Sequence, residues 1–512
     1  MKPVKRNFKN WIVLRKIVQG ISLVAFLALF LAAPLKTWSA QVINLPMRLD
    51  PLTMLAQSLA SRKFLAGSAV ALIVLTLTIL FGRAWCGWLC PLGTVLDLFP
   101  LRKASSRISD LPERLGPQGS WRNWKYILFL LILSMALFGS LTLMFLDPLT
   151  ILERSLTAAI LPALDRIITA IETILVRLPF LEGSTMKFDA LIRPVLLPER
   201  PIFTRSAVLF ALFFAGIIIL NRVAQRFWCR YLCPLGGMLG LISKFSLFRR
   251  QVSEDCKSCK LCFKACPTGT IDAERGYSSD PAECTMCLDC LEACPRSDIT
   301  INLKPALAPW NTAYDPSRRQ ALSSLVVAAA SVAVFRSDWL HLHPSPFQLR
   351  PPGASEANLL ANCIRCGVCL RVCPTGALQP AIIEAGAEGF WSPILLPRLG
   401  YCDYACNACG QACPTQAIPA LSLEEKRLQV VGKAYIDENR CIAWADHIDC
   451  IVCEEMCPLP EKAIQLEARE VRTPDGEQKT IQLPYVLRER CIGCGICEYK
   501  CPLAGEAAIR VR

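Results

Sequence analysis

Twenty-four of the 28 cysteines fall into six sets of four. Cys256, Cys259, Cys262 and Cys266-Pro267 form C-x2-C-x2-C-x3-C-P, and Cys284, Cys287, Cys290 and Cys294-Pro295 repeat it. Four further sets follow: Cys363, Cys366, Cys369 and Cys373; Cys402, Cys406, Cys409 and Cys413; Cys441, Cys450, Cys453 and Cys457; and Cys491, Cys494, Cys497 and Cys501. Thiolates suit iron and sulfide, and a loop offering three at this spacing caps three irons of a cubane while the fourth cysteine reaches a neighbouring cube. The expectation is six [4Fe-4S] clusters with all 24 cysteines as ligands. By that crossing rule Cys256, Cys259, Cys262 and Cys294 hold one cluster, and Cys284, Cys287, Cys290 and Cys266 hold its neighbour. In the larger array the first and last sets are regular, whereas the second opens with x3 and the third with x8. Like is expected to pair with like, first with fourth and second with third, with sequential pairing as the alternative. Zinc and disulfides also use paired cysteines, but six triads each followed by Cys-Pro fit neither.

The remaining four cysteines occupy two matching motifs, Trp85-Cys86-Gly87-Trp88-Leu89-Cys90-Pro91-Leu92-Gly93 and Trp228-Cys229-Arg230-Tyr231-Leu232-Cys233-Pro234-Leu235-Gly236. A spacing of four puts both thiols of a motif on one helix face. Cys86, Cys90, Cys229 and Cys233 are therefore a candidate extra site that holds a metal or cluster, or cycles between thiol and disulfide. The plainer alternative is small packing residues beside an interfacial belt of Trp85, Trp88, Trp228 and Tyr231. Upstream, Leu49-Asp50-Pro51-Leu52-Thr53 matches Leu146-Asp147-Pro148-Leu149-Thr150, so two motifs recur in the same order and the region is an internal repeat. Asp-Pro is a common helix opening, the carboxylate capping free N–H groups and proline filling the first turn. A carboxylate at an apolar edge also suits proton uptake, which makes Asp147, and after it Asp50, candidate catalytic residues. Haem is not expected: no C-x-x-C-H occurs, and His341, His343 and His447 lie on no apolar run. Nor does any G-x-G-x-x-G follow a strand, as a nicotinamide site would require.

These residues must be positioned by a membrane part and a soluble part. With 53% hydrophobic residues and mean hydropathy +0.37, the 512-residue chain is too apolar to be wholly soluble. Apolar runs up to residue 33 and over 64–82, 126–145 and 207–220 predict four spans of a ~30 Å hydrocarbon core. The first follows Lys2, Lys5, Arg6, Lys9, Arg15 and Lys16 with no acid, as an uncleaved anchor would. Residues 83–125 carry seven basic and three acidic side chains, whereas 147–205 are balanced at seven each. Basic loops stay inside, which puts 83–125 and the two-cluster domain after Arg250 in the cytoplasm. The net charge of +14 comes from such brackets rather than from one patch, and no nucleic-acid partner is expected. Residues 156–179, apolar with spaced charges, read as a helix lying on the outer membrane surface. Arg318-Arg319 ahead of the apolar run 321–335 reads as a twin-arginine export signal, the alternative being a short buried helix. Pro344, Pro346, Pro351 and Pro352 mark a spacer.

The expected fold is multi-domain. A polytopic α-helical membrane domain with a two-fold internal repeat (1–250) leads into an α+β ferredoxin-like domain with two clusters (251–305). A further signal-like helix (315–336), a proline-rich linker (337–358) and an α+β four-cluster ferredoxin domain (359–512) complete it. On the four runs, the two W-C-x3-C-P motifs and the paired regular sets, residues 1–305 resemble the NapH membrane ferredoxins of periplasmic nitrate reductase systems and their NosR-like relatives. On the twin arginine and four cluster sets, residues 315–512 resemble NapG, and the chain looks like a natural fusion of the two. That resemblance implies a quinol dehydrogenase module in the cytoplasmic membrane, oxidising menaquinol or ubiquinol from the quinone pool. Electrons would pass to a periplasmic terminal reductase, such as nitrate reductase, or to a small carrier. The first ferredoxin domain would be cytoplasmic and the C-terminal one periplasmic. The flavin domain of NosR-like members has no counterpart here. A second function class stays open, an iron-sulfur assembly or redox-sensing factor for a respiratory metalloenzyme, because related C-x3-C-P proteins also resemble factors that mature copper sites.

Overall fold

A computed structural model describes residues 9–35, 38–100, 120–178, 182–196, 203–303, 318–336, 347–382, 384–472 and 478–512. The basic residues of 1–8 and 101–119, the linker residues 337–346 and both His341 and His343 lie outside the described residues. Two compact units emerge, Met1–Phe30, Gln41–Ser155 and Leu209–Ala333 in the first, and Leu31–Ala40, Leu156–Val208 and Val334–Arg512 in the second. The segment 156–208 thus belongs with the C-terminal cysteine sets.

In the first unit the helix Lys9–Ala32 is, among the described residues, the one helix long and apolar enough to cross a membrane. The other three expected spans are shorter, Ala66–Phe81, Asn123–Leu137 and Ala207–Arg222. The first two are cut by their own backbone chemistry. The run 64–82 begins as a 3-10 turn (Ala66–Val70) and stops at Gly82, which takes φ +68°. The run 126–145 leaves the helix at Phe138, turns at Gly139 and tightens into a 3-10 turn, Thr142–Leu146, that delivers Asp147. A four-span domain is therefore not supported by helix length.

The core of this unit joins Pro51–Ser61, Asn123–Leu137 and Pro234–Ser243, which bury Leu52, Ala56, Ile132, Met135, Leu235 and Leu239. Close approach needs Gly237, because a Cβ there would lie 2.7 Å from the Lys125 carbonyl oxygen. Beyond it, strand Phe248–Val252 pairs antiparallel with Ile299–Leu303 and encloses the two regular cysteine loops.

In the second unit three antiparallel pairs carry the cysteine loops: Leu378–Pro380 with Pro393–Leu395, Ile464–Arg472 with Gln478–Val486, and Ala434–Ile436 with Ile509–Val511. Their inward residues Leu378, Leu395, Ile464, Ile509 and Val511 pack with the cysteines in one core.

The four regular sets share one backbone path. The residue before the second cysteine and the residue after it are both left-handed: Ser258 and Lys260, Met286 and Leu288, Arg365 and Gly367, Gly493 and Gly495, with φ between 51° and 87°. Alternating handedness turns successive N–H groups to one side and makes an anion-binding concavity, which is what a thiolate-ligated cube requires. The irregular sets take another path, with Asn407 at φ −131° and Ile451 at φ −110°.

Candidate metal centres

None of the 28 cysteines is paired in a disulfide, and the structure gathers those of the six sets into quartets that each draw on two sets. Cys266, Cys284, Cys287 and Cys290 line one hollow of about 390 Å³ with Arg250, whose guanidinium donates to the Tyr277 carbonyl at 2.6 Å. Cys262 stands by Cys256 and Cys259, and Cys256 and Cys294 pack on the same small core. In the second unit Cys369 lies among Cys363, Cys366 and Cys413, and Cys409 among Cys402, Cys373 and Cys406. Cys457 lines a hollow of about 350 Å³ with Cys491, Cys494 and Cys497, and Cys501 lines one of about 390 Å³ with Cys441, Cys450 and Cys453.

Pairing is therefore sequential, first set with second and third with fourth, and the expectation of like with like is corrected. The reason is connectivity. Each pair of sets is joined by an antiparallel hairpin, 378–395 in one case and 464–486 in the other, which returns the chain to where it started. The two pairs meet where Cys402 N donates to Cys494 O at 2.8 Å. The quartets consequently form a row: Cys363/366/369/413, Cys402/406/409/373, Cys491/494/497/457 and Cys441/450/453/501. Segment 156–208 covers its first end, with Leu156–Ile160 packed on Val368–Arg371 and Gln379 donating to the Phe203 carbonyl at 2.8 Å.

These quartets fit a cubane better than an ion. Among the described residues no three Cys, His, Asp or Glu side chains converge closely enough to hold a single metal ion. Burial, reinforced by neighbouring thiols, pushes Cys409 and Cys453 up to about 12, so thiols held in this way lose protons as they take up metal.

Cys86, Cys90, Cys229 and Cys233 are all buried and do converge: Cys90 lies by Cys86 and Cys229, and Cys233 by all three. Burial raises the thiols of Cys90, Cys229 and Cys233, that of Cys229 to about 11. Trp85, Trp228 and Tyr231 are buried as well and form no interfacial belt. The repeat is reciprocal at this point, since Arg226 donates to the Cys86 carbonyl at 3.0 Å and Arg83 to the Cys229 carbonyl at 3.4 Å. Gly87 sits so close to the loop 284–287 that a Cβ would fall 2.1 Å from Thr285 O, and Trp88 Nε1 donates to Met286 O at 2.9 Å. The C-x3-C loop thus rests directly on a cysteine loop of the ferredoxin-like domain. Arg15 reaches the same loop, donating to Cys287 O at 2.7 Å.

A buried ionic cluster fastens this contact. Glu283 accepts from Arg122 at 3.0 Å, Arg83 at 3.4 Å, Lys125 at 2.5 Å and the Tyr126 hydroxyl at 2.9 Å. None of these residues stood out in the sequence as functional. For Arg83 and Arg226 a signal existed, because each lies three residues before the first cysteine of its motif, so the repeat begins at Arg-x-Trp-Cys. Glu283 had none, for its partners are remote in the chain.

Asp50 and Asp147 are helix caps. Asp50 accepts from Leu52 N at 2.9 Å and Thr53 N at 3.2 Å, and Asp147 from Leu149 N at 2.9 Å and Thr150 N at 3.1 Å. The repeat also brings their carboxyl groups together, both essentially without solvent exposure. Burial first, then the charge of Asp50, pushes Asp147 well above the usual carboxylate range. Two carboxyl groups in buried contact disfavour each other's ionisation.

Family models agree with the cysteine geometry. A 4Fe-4S binding domain matches residues 64–108 and 206–253, a 4Fe-4S dicluster domain matches 249–304, and a second 4Fe-4S binding domain matches 360–379. The chain is thereby a ferredoxin-type iron-sulfur electron-transfer protein. It is 35% identical over 204 residues to the methylamine utilization ferredoxin-type protein MauM of Methylorubrum extorquens, covering 38% of this chain and 89% of the relative. The MauM of Paracoccus denitrificans is 36% identical over 170 residues (32% and 70%), and the ferredoxin-type protein NapG of Escherichia coli 33% over 171 residues (33% and 71%). The chain belongs to this MauM and NapG family of ferredoxin-type proteins. No solved structure matches it.

Proposed function

We propose that the chain is a membrane-bound wire, a quinol dehydrogenase module that takes electrons from menaquinol or ubiquinol and delivers them to an acceptor outside the membrane. The observation that carries this reading is the row of four neighbouring quartets, covered at one end by segment 156–208. Six [4Fe-4S] clusters, ligated by the 24 cysteines of the six sets, supply one-electron steps. The C-x3-C quartet, resting on the loop 284–287, is a further redox or cluster site of the NapH-like part.

Exposed apolar side chains support a membrane location. Leu72, Ile73 and Ile79 stand outward on one short apolar helix and Val208, Leu209 and Leu212 on another, and Leu164, Ile167, Ile171 and Ile174 form a stripe along Leu161–Val176. Such faces need lipid or a partner. In this reading the stripe lies on the outer surface, the domain 251–305 is cytoplasmic, and the C-terminal domain is exported through the twin-arginine route. Relatives are named for methylamine utilization as well as NapG, which supports leaving the acceptor open, with nitrate reductase one candidate.

Menaquinol added to the purified, cluster-loaded chain in detergent should bleach its clusters, with about 24 irons per chain on four per cubane. Failure of quinol to reduce any cluster would overturn the reading. The same assay tests Asp147 as the quinol proton acceptor. Asp147→Asn still caps the helix, so protein level and iron content should hold while quinol-dependent reduction slows by about tenfold or more, and Asp50→Asn should slow it less. If Asn at 147 serves as well as Asp, the residue is only a cap.

A further inference from the structure

The x8 interval between Cys441 and Cys450 is the largest departure from the regular spacing, and ligation alone does not require it. Its residues make one helical turn, Ile442–Ala445, and a loop that is pinned to the hairpin 464–486. Trp444 Nε1 donates to the Pro484 carbonyl at 3.2 Å and its ring stands edge-on to Tyr485 at 5.2 Å, while Asp449 accepts from Gln482 N at 3.0 Å. What this fixed loop and the helix after it present outward is apolar: Ile448 is 56% exposed, Ile451 47% and Met456 36%. Directly beneath are Cys450 and Cys453 of the quartet that ends the row.

Charge surrounds the apolar centre. Asp446, Asp449 and Glu455 are exposed around it. From Asp437 to Glu461 the sequence has seven acids and one base, Arg440, within a chain of net charge +14. We propose that the surface of Ile448, Ile451 and Met456, rimmed by Asp446, Asp449 and Glu455, is the docking site of a small, positively charged one-electron carrier protein. The inference rests on the wire reading and adds where, and to what kind of partner, the wire discharges. A small apolar contact excludes water over the terminal quartet, and the acids steer a basic partner without holding it long, as turnover requires. A second copy of this chain docking through the same face would bring an identical acidic rim and be repelled, and an anionic lipid surface would be repelled likewise. One electron leaves the centre at Cys441/450/453/501, which is oxidised by one, and the carrier is reduced by one. No bond or proton changes hands.

The test uses the full-length, cluster-loaded chain with a lysine-rich basic c-type cytochrome as probe and an acidic c-type cytochrome of similar potential as control. Two readouts are taken, calorimetric affinity between the oxidised proteins and the rate of cytochrome reduction by the chemically reduced chain. Asp446→Lys with Glu455→Lys, and separately Ile451→Ser, should keep full iron content. Both should weaken affinity and slow reduction of the basic cytochrome, the charge variant by about tenfold or more and with loss of salt dependence. Unchanged affinity and rate in iron-replete variants would overturn the docking site while leaving the wire intact, as would equal affinity of the wild type for the acidic cytochrome. If the reduced wild type passes electrons to neither cytochrome, the wire reading fails and this inference with it.

Discussion

Cys457→Ala should remove one cluster, the one shared with Cys491, Cys494 and Cys497, and stop electrons before they reach the Cys441 end. Iron content should fall by about four per chain, and reduction of any carrier should drop to background while the two upstream quartets are still reduced. The sequential pairing makes the result specific. Cys457 and Cys491 line one hollow, so Cys457→Ala combined with Cys491→Ala should lose no more iron than either alone. Combined with Cys402→Ala, whose thiol belongs to the neighbouring quartet with Cys373 and Cys406, the losses should add to about eight irons. Pairing of like with like predicts the reverse, because Cys457 would then complete the quartet of Cys402, Cys406 and Cys409. Iron analysis of the three variants decides between them.

That contrast also shows which parts of the molecule were legible in its sequence. Cysteine positions were legible because ligation fixes spacing: three thiols must reach one cube from one loop, and x2 intervals with left-handed residues such as Gly493 and Gly495 are how a backbone does it. Pairing was not legible, since it is decided by the hairpins 378–395 and 464–486, whose registers no cysteine spacing encodes. Apolar runs revealed where helices form but not where they stop. The run 126–145 reads as one span until Gly139 turns it at φ +76°, and composition averages over that single residue. The duplicated Asp-Pro segments announced both a cap and a repeat. That the repeat folds back to put Asp50 against Asp147 depends on how its halves pack, which a linear comparison does not contain. Least legible was the basic lattice under the C-x3-C quartet, because a lysine or arginine beside an apolar run looks like a topology signal. Lys125 and Arg122 counted in the sequence as inside-facing charges, and in the structure they are buried against Glu283.

Glu283→Gln should therefore be among the most damaging single substitutions outside the cysteines. The side chain keeps its shape and can still accept hydrogen bonds, but Arg83, Arg122 and Lys125, none more than 4% exposed, lose their counter-charge in a place water does not reach. Breaking a buried pair from one side costs about 3–5 kcal/mol, chiefly because the remaining charge stays buried and uncompensated. Burial opposes ionisation of Glu283, but Lys125, Arg122 and Arg83 outweigh it and hold the carboxyl down to about 2. A depressed carboxyl stabilises the fold above its unfolded value and loses that contribution only as pH falls towards 2. The expected result is an early phase of thermal bleaching amounting to the two clusters of residues 251–305, with the four C-terminal clusters bleaching at their wild-type temperature. Adding Lys125→Met should restore part of the loss by removing one of the stranded cations, a coupling that a purely steric defect would not show. An early phase absent from Glu283→Gln, or deepened by Lys125→Met, would mean that the three cations are balanced elsewhere and that Glu283 does not fasten the cysteine loop 284–290 to the helices.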